Sequence, residues 1–85
     1  MRRSAAPRSL SDLTRFIVEH IVDDPEAVAV SDVTEDGETV IVIEVADDDR
    51  GAVIGRQGRT IRAIEQVVRA AAGEGPVPVI EVADG

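Results

Sequence analysis

Cysteine, lysine, tryptophan and tyrosine are absent from these 85 residues, and phenylalanine and histidine occur once each, as Phe16 and His20. Without cysteine there is no disulfide, no thiolate zinc site and no thiol nucleophile. With one aromatic residue, the core has to be built from Val, Ile, Leu and Ala, which supply most of the 44% hydrophobic content. No apolar run approaches the roughly 20 residues needed to span a bilayer. Arg2 and Arg3 near the start are not followed by the apolar stretch of a secretory signal. The expectation is therefore one small cytoplasmic domain with no membrane segment, near the size at which a single core is only just sufficient.

Positive charge is also scarce. Seventeen acidic residues against nine basic ones give a formal net charge of −8, which taken alone argues against nucleic acid as a partner. The distribution says otherwise. Arg50, Arg56, Arg59, Arg62 and Arg69 are opposed within their segment only by Glu65, a local +4 that leaves −12 for the remainder. Every basic residue is arginine, whose planar donor fork suits phosphate, although a GC-rich genome would also favour arginine codons.

Residues 1–8 read as an arm ahead of the domain. Ser9 or Ser11 can cap a first helix, with Leu10, Leu13, Phe16, Ile17 and Ile21 at helical spacing, and Asp23-Asp24-Pro25 stops it. Two β-rich runs follow, about 27–34 and 39–46, around an Asp36-Gly37 pair that predicts a hairpin. The second run is apolar at most positions on both faces and reads as a central strand. Asp47-Asp48-Asp49 fits an N-cap and dipole partner for a short helix over 50–54 better than it fits a solvated charge run or the alternating ligands of a calcium loop. A longer helix over 59–72 places Ile61, Ile64, Val68 and Ala71 on one face and Arg59, Arg62, Gln66 and Arg69 opposite. Gly73 to Pro76 end it, and 77–82 forms a last strand, with Pro78 at its start or at an edge.

Enzymatic constellations are missing. His20 is the lone histidine, no serine stands in a nucleophile-elbow pattern, and the carboxylates fall in turns, caps and termini. Gly51, Gly55 and Gly58 match neither the dinucleotide fingerprint nor a Walker loop. What remains is Gly55-Arg56-Gln57-Gly58 between two helices. Taken by itself it is a tight corner that needs small residues. As an anion site it has three supports: close backbone approach at the glycines, a helix start at the second glycine, and Arg56 and Arg59 beside it.

The stretch from Val53 to Ile61, set in an α-β-β-α-α-β order, resembles the K-homology (KH) domain in its type II form. Residues 22–28, the hairpin and 55–72 together resemble the KhpA family of small bacterial RNA-binding proteins. That resemblance implies an α+β fold over 9–84, with helices packed on one face of a three-stranded mixed sheet. It also implies a non-enzymatic module without a cofactor, acting as an RNA chaperone or post-transcriptional regulator. The implied contact residues for single-stranded RNA are Ile54, Gly55, Arg56, Gln57, Gly58, Arg59, Thr60 and Arg62, with Val53, Ile61 and strand 39–46 as a groove for bases. The lack of aromatics fits, because base stacking on Phe, Tyr or Trp is excluded. The family further implies a homodimer, or a heterodimer with a KhpB/Jag-like KH-R3H protein, so a dimerisation module is the alternative reading. A DNA-binding helix-turn-helix ranks below both, since a hairpin and a final strand flank this corner.

Overall fold

The computed structural model describes residues 9–84, so the arm at 1–8 lies outside the described residues. Six elements follow the expected order: α1 (Leu10–Glu19), β1 (Ala29–Glu35), β2 (Glu38–Glu44), α2 (Arg50–Ile54), α3 (Arg59–Ala72) and β3 (Val79–Val82). β1 pairs antiparallel with β2, and β2 pairs parallel with β3, so β2 is the central strand of a mixed sheet. Asp36 and Gly37 both have positive φ, 53° and 80°, which is the two-residue turn that an Asp-Gly hairpin favours. Pro78 sits just before β3, where its missing donor does no harm.

Alternation along β2 sets the layers. Ile41 and Ile43 are buried and form the core with Val18, Val53, Ile64, Val68 and Ile80. The intervening Val40 and Val42 point to the other sheet face, together with their neighbours Val33 and Val79, which are exposed. The helices therefore cover one face only.

Three local expectations need correction. On α1, Phe16 is 52% exposed and stacks on His20 with ring centroids 4.5 Å apart. The buried positions are Thr14 and Val18, one turn apart, and Thr14 escapes a polar penalty because its hydroxyl donates to the Leu10 carbonyl at 2.8 Å. Leu10, Ile17, Ile21 and Val22 complete that face, so its stripe is rotated from the one Phe16 suggested. α1 also stops at Glu19, a few residues before the Asp23-Asp24-Pro25 stretch. On α3, Ala71 is exposed, and Ala72 is the half-buried residue of the last turn.

The third correction concerns Asp47–Asp49, which form a 3-10 turn with no side-chain cap onto α2. Asp49 is instead 4% exposed, and its two carboxylate oxygens accept from the Asp23 and Asp24 amides at 3.1 Å each. One carboxylate thus ties the loop after α1 to the start of α2, across 25 residues of sequence. Two amide donors offset the desolvation of a buried charge. Asp49→Ala removes both acceptors at once, and the expected loss of stability is about 1–3 kcal/mol. Urea unfolding of the full chain checks it; a midpoint unchanged from wild type would contradict the tie.

Candidate nucleic-acid interface

α2 is only five residues long and ends where the chain turns sharply at Gly55. Gly55 has φ 79° and ψ 166°, a region that side chains other than glycine's essentially do not enter. Space forbids a side chain as well, since a Cβ there would lie 2.3 Å from Thr60 Oγ1 and 2.6 Å from the Thr60 backbone nitrogen. Gln57 (φ 57°, ψ 26°) and Gly58 (φ 75°, ψ 18°) follow in the left-handed region. The four residues form a compact loop that reverses the chain and starts α3 directly.

The requirement at Gly58 is milder. A Cβ would meet only the far end of Arg62, with Nη1 at 3.2 Å, and that side chain can move. Arg62 also braces the loop, because its Nη2 donates to the Gln57 carbonyl at 2.9 Å. This arginine, expected only as a contact along the helix, holds the strained residue at the loop tip in place. Nothing in the residue pattern distinguishes such a brace from its surface neighbours.

The polar inventory of the loop differs from a row of bare amides. The Gly58 amide donates to the Gly55 carbonyl at 3.0 Å, and the Arg59 amide donates to Arg56. Attraction for an anion therefore rests on the arginines and on the positive end of the fourteen-residue α3, which carries no side-chain cap. Arg56, Arg59 and Arg62 are all exposed within seven residues of sequence, with Arg69 further along α3. Arg50, counted with them in the sequence, is spent elsewhere: it pairs with Asp84 at 3.0 Å and with Asp47 at 3.8 Å. The patch that remains at the loop is +3.

The apolar partners of the loop divide unevenly. Ile54 is 38% exposed beside Gly55, and Thr60 and Ile61 are half-buried at the start of α3. Val53 is wholly buried in the core and offers no surface to a ligand. Strand 39–46 is set back from the loop in the sheet. β2 is hydrogen-bonded on both sides, and its helix-side residues Ile41 and Ile43 lie under the helices. The structure thus brings Ile54, Gly55, Arg56, Gln57, Gly58, Arg59, Thr60 and Arg62 into one corner and leaves Val53 and β2 beneath it. Among the described residues, no helix is long and apolar enough to cross a membrane, and no group of three or more His, Asp or Glu side chains could hold a metal ion.

Comparison with known proteins gives this corner its context. A family model described as the KhpA/KhpB KH domain matches residues 11–79. Among curated proteins, the "RNA-binding protein KhpA" of Streptomyces coelicolor is 41% identical over 66 residues, covering 78% of this chain and 84% of that protein. The protein of the same name from Caldanaerobacter subterraneus is 40% identical over 63 residues, 74% of this chain and 84% of its own length. That of Halalkalibacterium halodurans is 47% identical over 60 residues, 66% of this chain and 79% of its length. No solved structure matches. A match over residues 11–79, on a chain that folds in the α-β-β-α-α-β order with a glycine-framed corner before α3, shows that the chain belongs to the KhpA/KhpB KH-domain family.

Proposed function

We propose that this chain is a non-enzymatic RNA-binding domain, spanning 9–84, that grips the backbone of single-stranded RNA at the corner between α2 and α3. The observation that carries the reading is Gly55 to Gly58, closed to side chains at its base and surrounded by Arg56, Arg59 and Arg62 on an otherwise acidic protein. Gly-x-x-Gly loops of KH domains hold about four backbone nucleotides in this way. The relatives that match are named RNA-binding proteins, in agreement with the reading.

Gly55 and Gly58 admit the sugar-phosphate chain, and Arg56 and Arg59 donate to its oxygens. Arg62 holds the loop tip through Gln57 while adding its charge. Ile54 and Ile61 offer an aliphatic surface to a base, in a protein with no aromatic at this corner. Thr60 packs beneath Gly55 and sets the depth of the turn. Such binding is weak and sparing of sequence, which suits a chaperone or post-transcriptional regulator working in the cytoplasm.

A second reading, pairing with another copy or with a KhpB/Jag-like KH-R3H protein, is favoured by one observation. Val33 and Val79 are exposed on a sheet face that no helix covers. Light scattering of the full chain without RNA checks it. A mass above that of one chain supports pairing, and a monomer across the accessible concentration range removes the homodimer.

RNA affinity is measured by fluorescence anisotropy with a short single-stranded oligonucleotide. Three arginines on phosphates give a log–log salt slope of about −2, so affinity falls roughly twentyfold between 50 and 200 mM salt. Arg56→Ala should flatten that slope by about 0.7. Gly58→Asp is the cleaner glycine variant, because aspartate tolerates the left-handed region and its Cβ meets only the end of Arg62. A carboxylate at about 4 Å from a phosphate opposes binding by ~1–4 kcal/mol, or roughly fivefold to several hundredfold in affinity. Gly55→Asp would instead force Thr60 aside and disturb the fold itself. Unchanged affinity in a folded Gly58→Asp protein would refute the reading.

A further inference from the structure

An open groove among the described residues lies away from the loop. It has a volume of about 800 Å³ and lies on the helix side of the sheet, between the first turn of α1, the β1–β2 hairpin and the segment before β3. Its floor is apolar, from Leu10, Ile41 and Val77, and its rim carries three carboxylates, Asp32, Asp36 and Glu38. Among the described residues no basic side chain lines it. Among the described residues none of the three carboxylates has an ion-pair or side-chain hydrogen-bond partner, the ion pairs being those of Arg50. Asp32 is opposite Ile41 in the β1–β2 ladder, so this exposed carboxylate stands on the helix side of an edge strand, at the rim of the groove.

The shape and charge select an extended, cationic and partly apolar segment. Residues 1–8, Met-Arg-Arg-Ser-Ala-Ala-Pro-Arg, have that composition, with three arginines and no acid. They join the domain at Ser9, immediately before Leu10 and Ser11, which themselves line the groove. Eight residues reach at most about 26–29 Å when extended. Because the segment is tethered at the rim, its effective concentration is in the millimolar range, so a weak contact suffices.

We propose that residues 1–8 dock into this groove of their own chain, with Arg2, Arg3 and Arg8 matched to Asp32, Asp36 and Glu38. The groove meets the chain just beyond the C-terminal end of α3, and the glycine loop precedes its N-terminal end. Fourteen helical residues, about 21 Å, separate the two. Docked arginines are then held apart from the loop, whose charge stays at Arg56, Arg59 and Arg62. The proposal stands whether or not the loop binds RNA.

The absence of cysteine makes the test direct. A nitroxide on Ser4→Cys in the full-length, isotopically labelled chain broadens amide signals near the arm. The expected result is strong loss of intensity at Gly37, Glu38, Thr39 and Val77, with residues 55–60 unaffected. That loss should disappear in Asp32→Asn/Asp36→Asn/Glu38→Gln, and equally in Arg2→Ala/Arg3→Ala/Arg8→Ala, which alters no described residue. It should also disappear near 1 M salt, where the Debye length is about 3 Å. Broadening centred on residues 55–60, or weak broadening indifferent to both charge variants, would overturn the proposal. So would broadening that persists at full strength when the nitroxide and the isotope are on different molecules, because the arm would then be seated in a second copy.

Discussion

The corner between α2 and α3 closes only because residue 55 has no side chain. Its backbone occupies a region reserved for glycine, and the amide and hydroxyl of Thr60 fill the place where a Cβ would sit. From that contact the rest follows. α2 is cut to five residues, α3 starts at once, and Gln57 is lifted to the tip with its carbonyl held by Arg62. The turn demanded by packing is also the geometry that the proposed approach of a nucleic-acid backbone would use, so in that reading structure and binding impose one requirement on one residue.

Charge is distributed to match. A chain of net charge −8 repels polyanions at long range, and attraction is confined to places where arginines stand free of acids. Arg50 is neutralised by Asp84 and Asp47, while Arg56, Arg59 and Arg62 stand exposed around the glycines. The acidic side chains have their own uses. Asp49 fixes the loop after α1 to the start of α2, and Asp32, Asp36 and Glu38 gather on one groove at the far end of α3. The molecule is thus polar along α3, with a basic corner at one end and an acidic groove at the other.

Much of this was legible in the residues. Asp36-Gly37 announced the hairpin, the aliphatic run at 39–46 announced a central strand, and the period of α3 separated Ile64 and Val68 from the arginine face. All three depend on neighbours within a few residues. What could not be read depends on distant partners. Phe16 has the right spacing for a core position, but the helix is rotated so that Thr14 and Val18 face the sheet. The aspartate run looked like a cap because its true partners, the Asp23 and Asp24 amides, are 25 residues earlier. Val53 lies beside the loop in sequence, yet the fold turns it into the core. The role of Arg62 as a brace was hidden in the same way, since it depends on the conformation of Gln57.

In the proposed function, single-stranded RNA is held at the glycine corner by main-chain approach and three arginines. Amide chemical shifts of the full chain, followed while a short single-stranded RNA is added, test this most directly. The largest changes are expected on residues 54–62, with the sheet face of Val33 and Val79 silent. Saturable RNA binding that moves the sheet face, and leaves Gly55 to Gly58 unchanged, would contradict it.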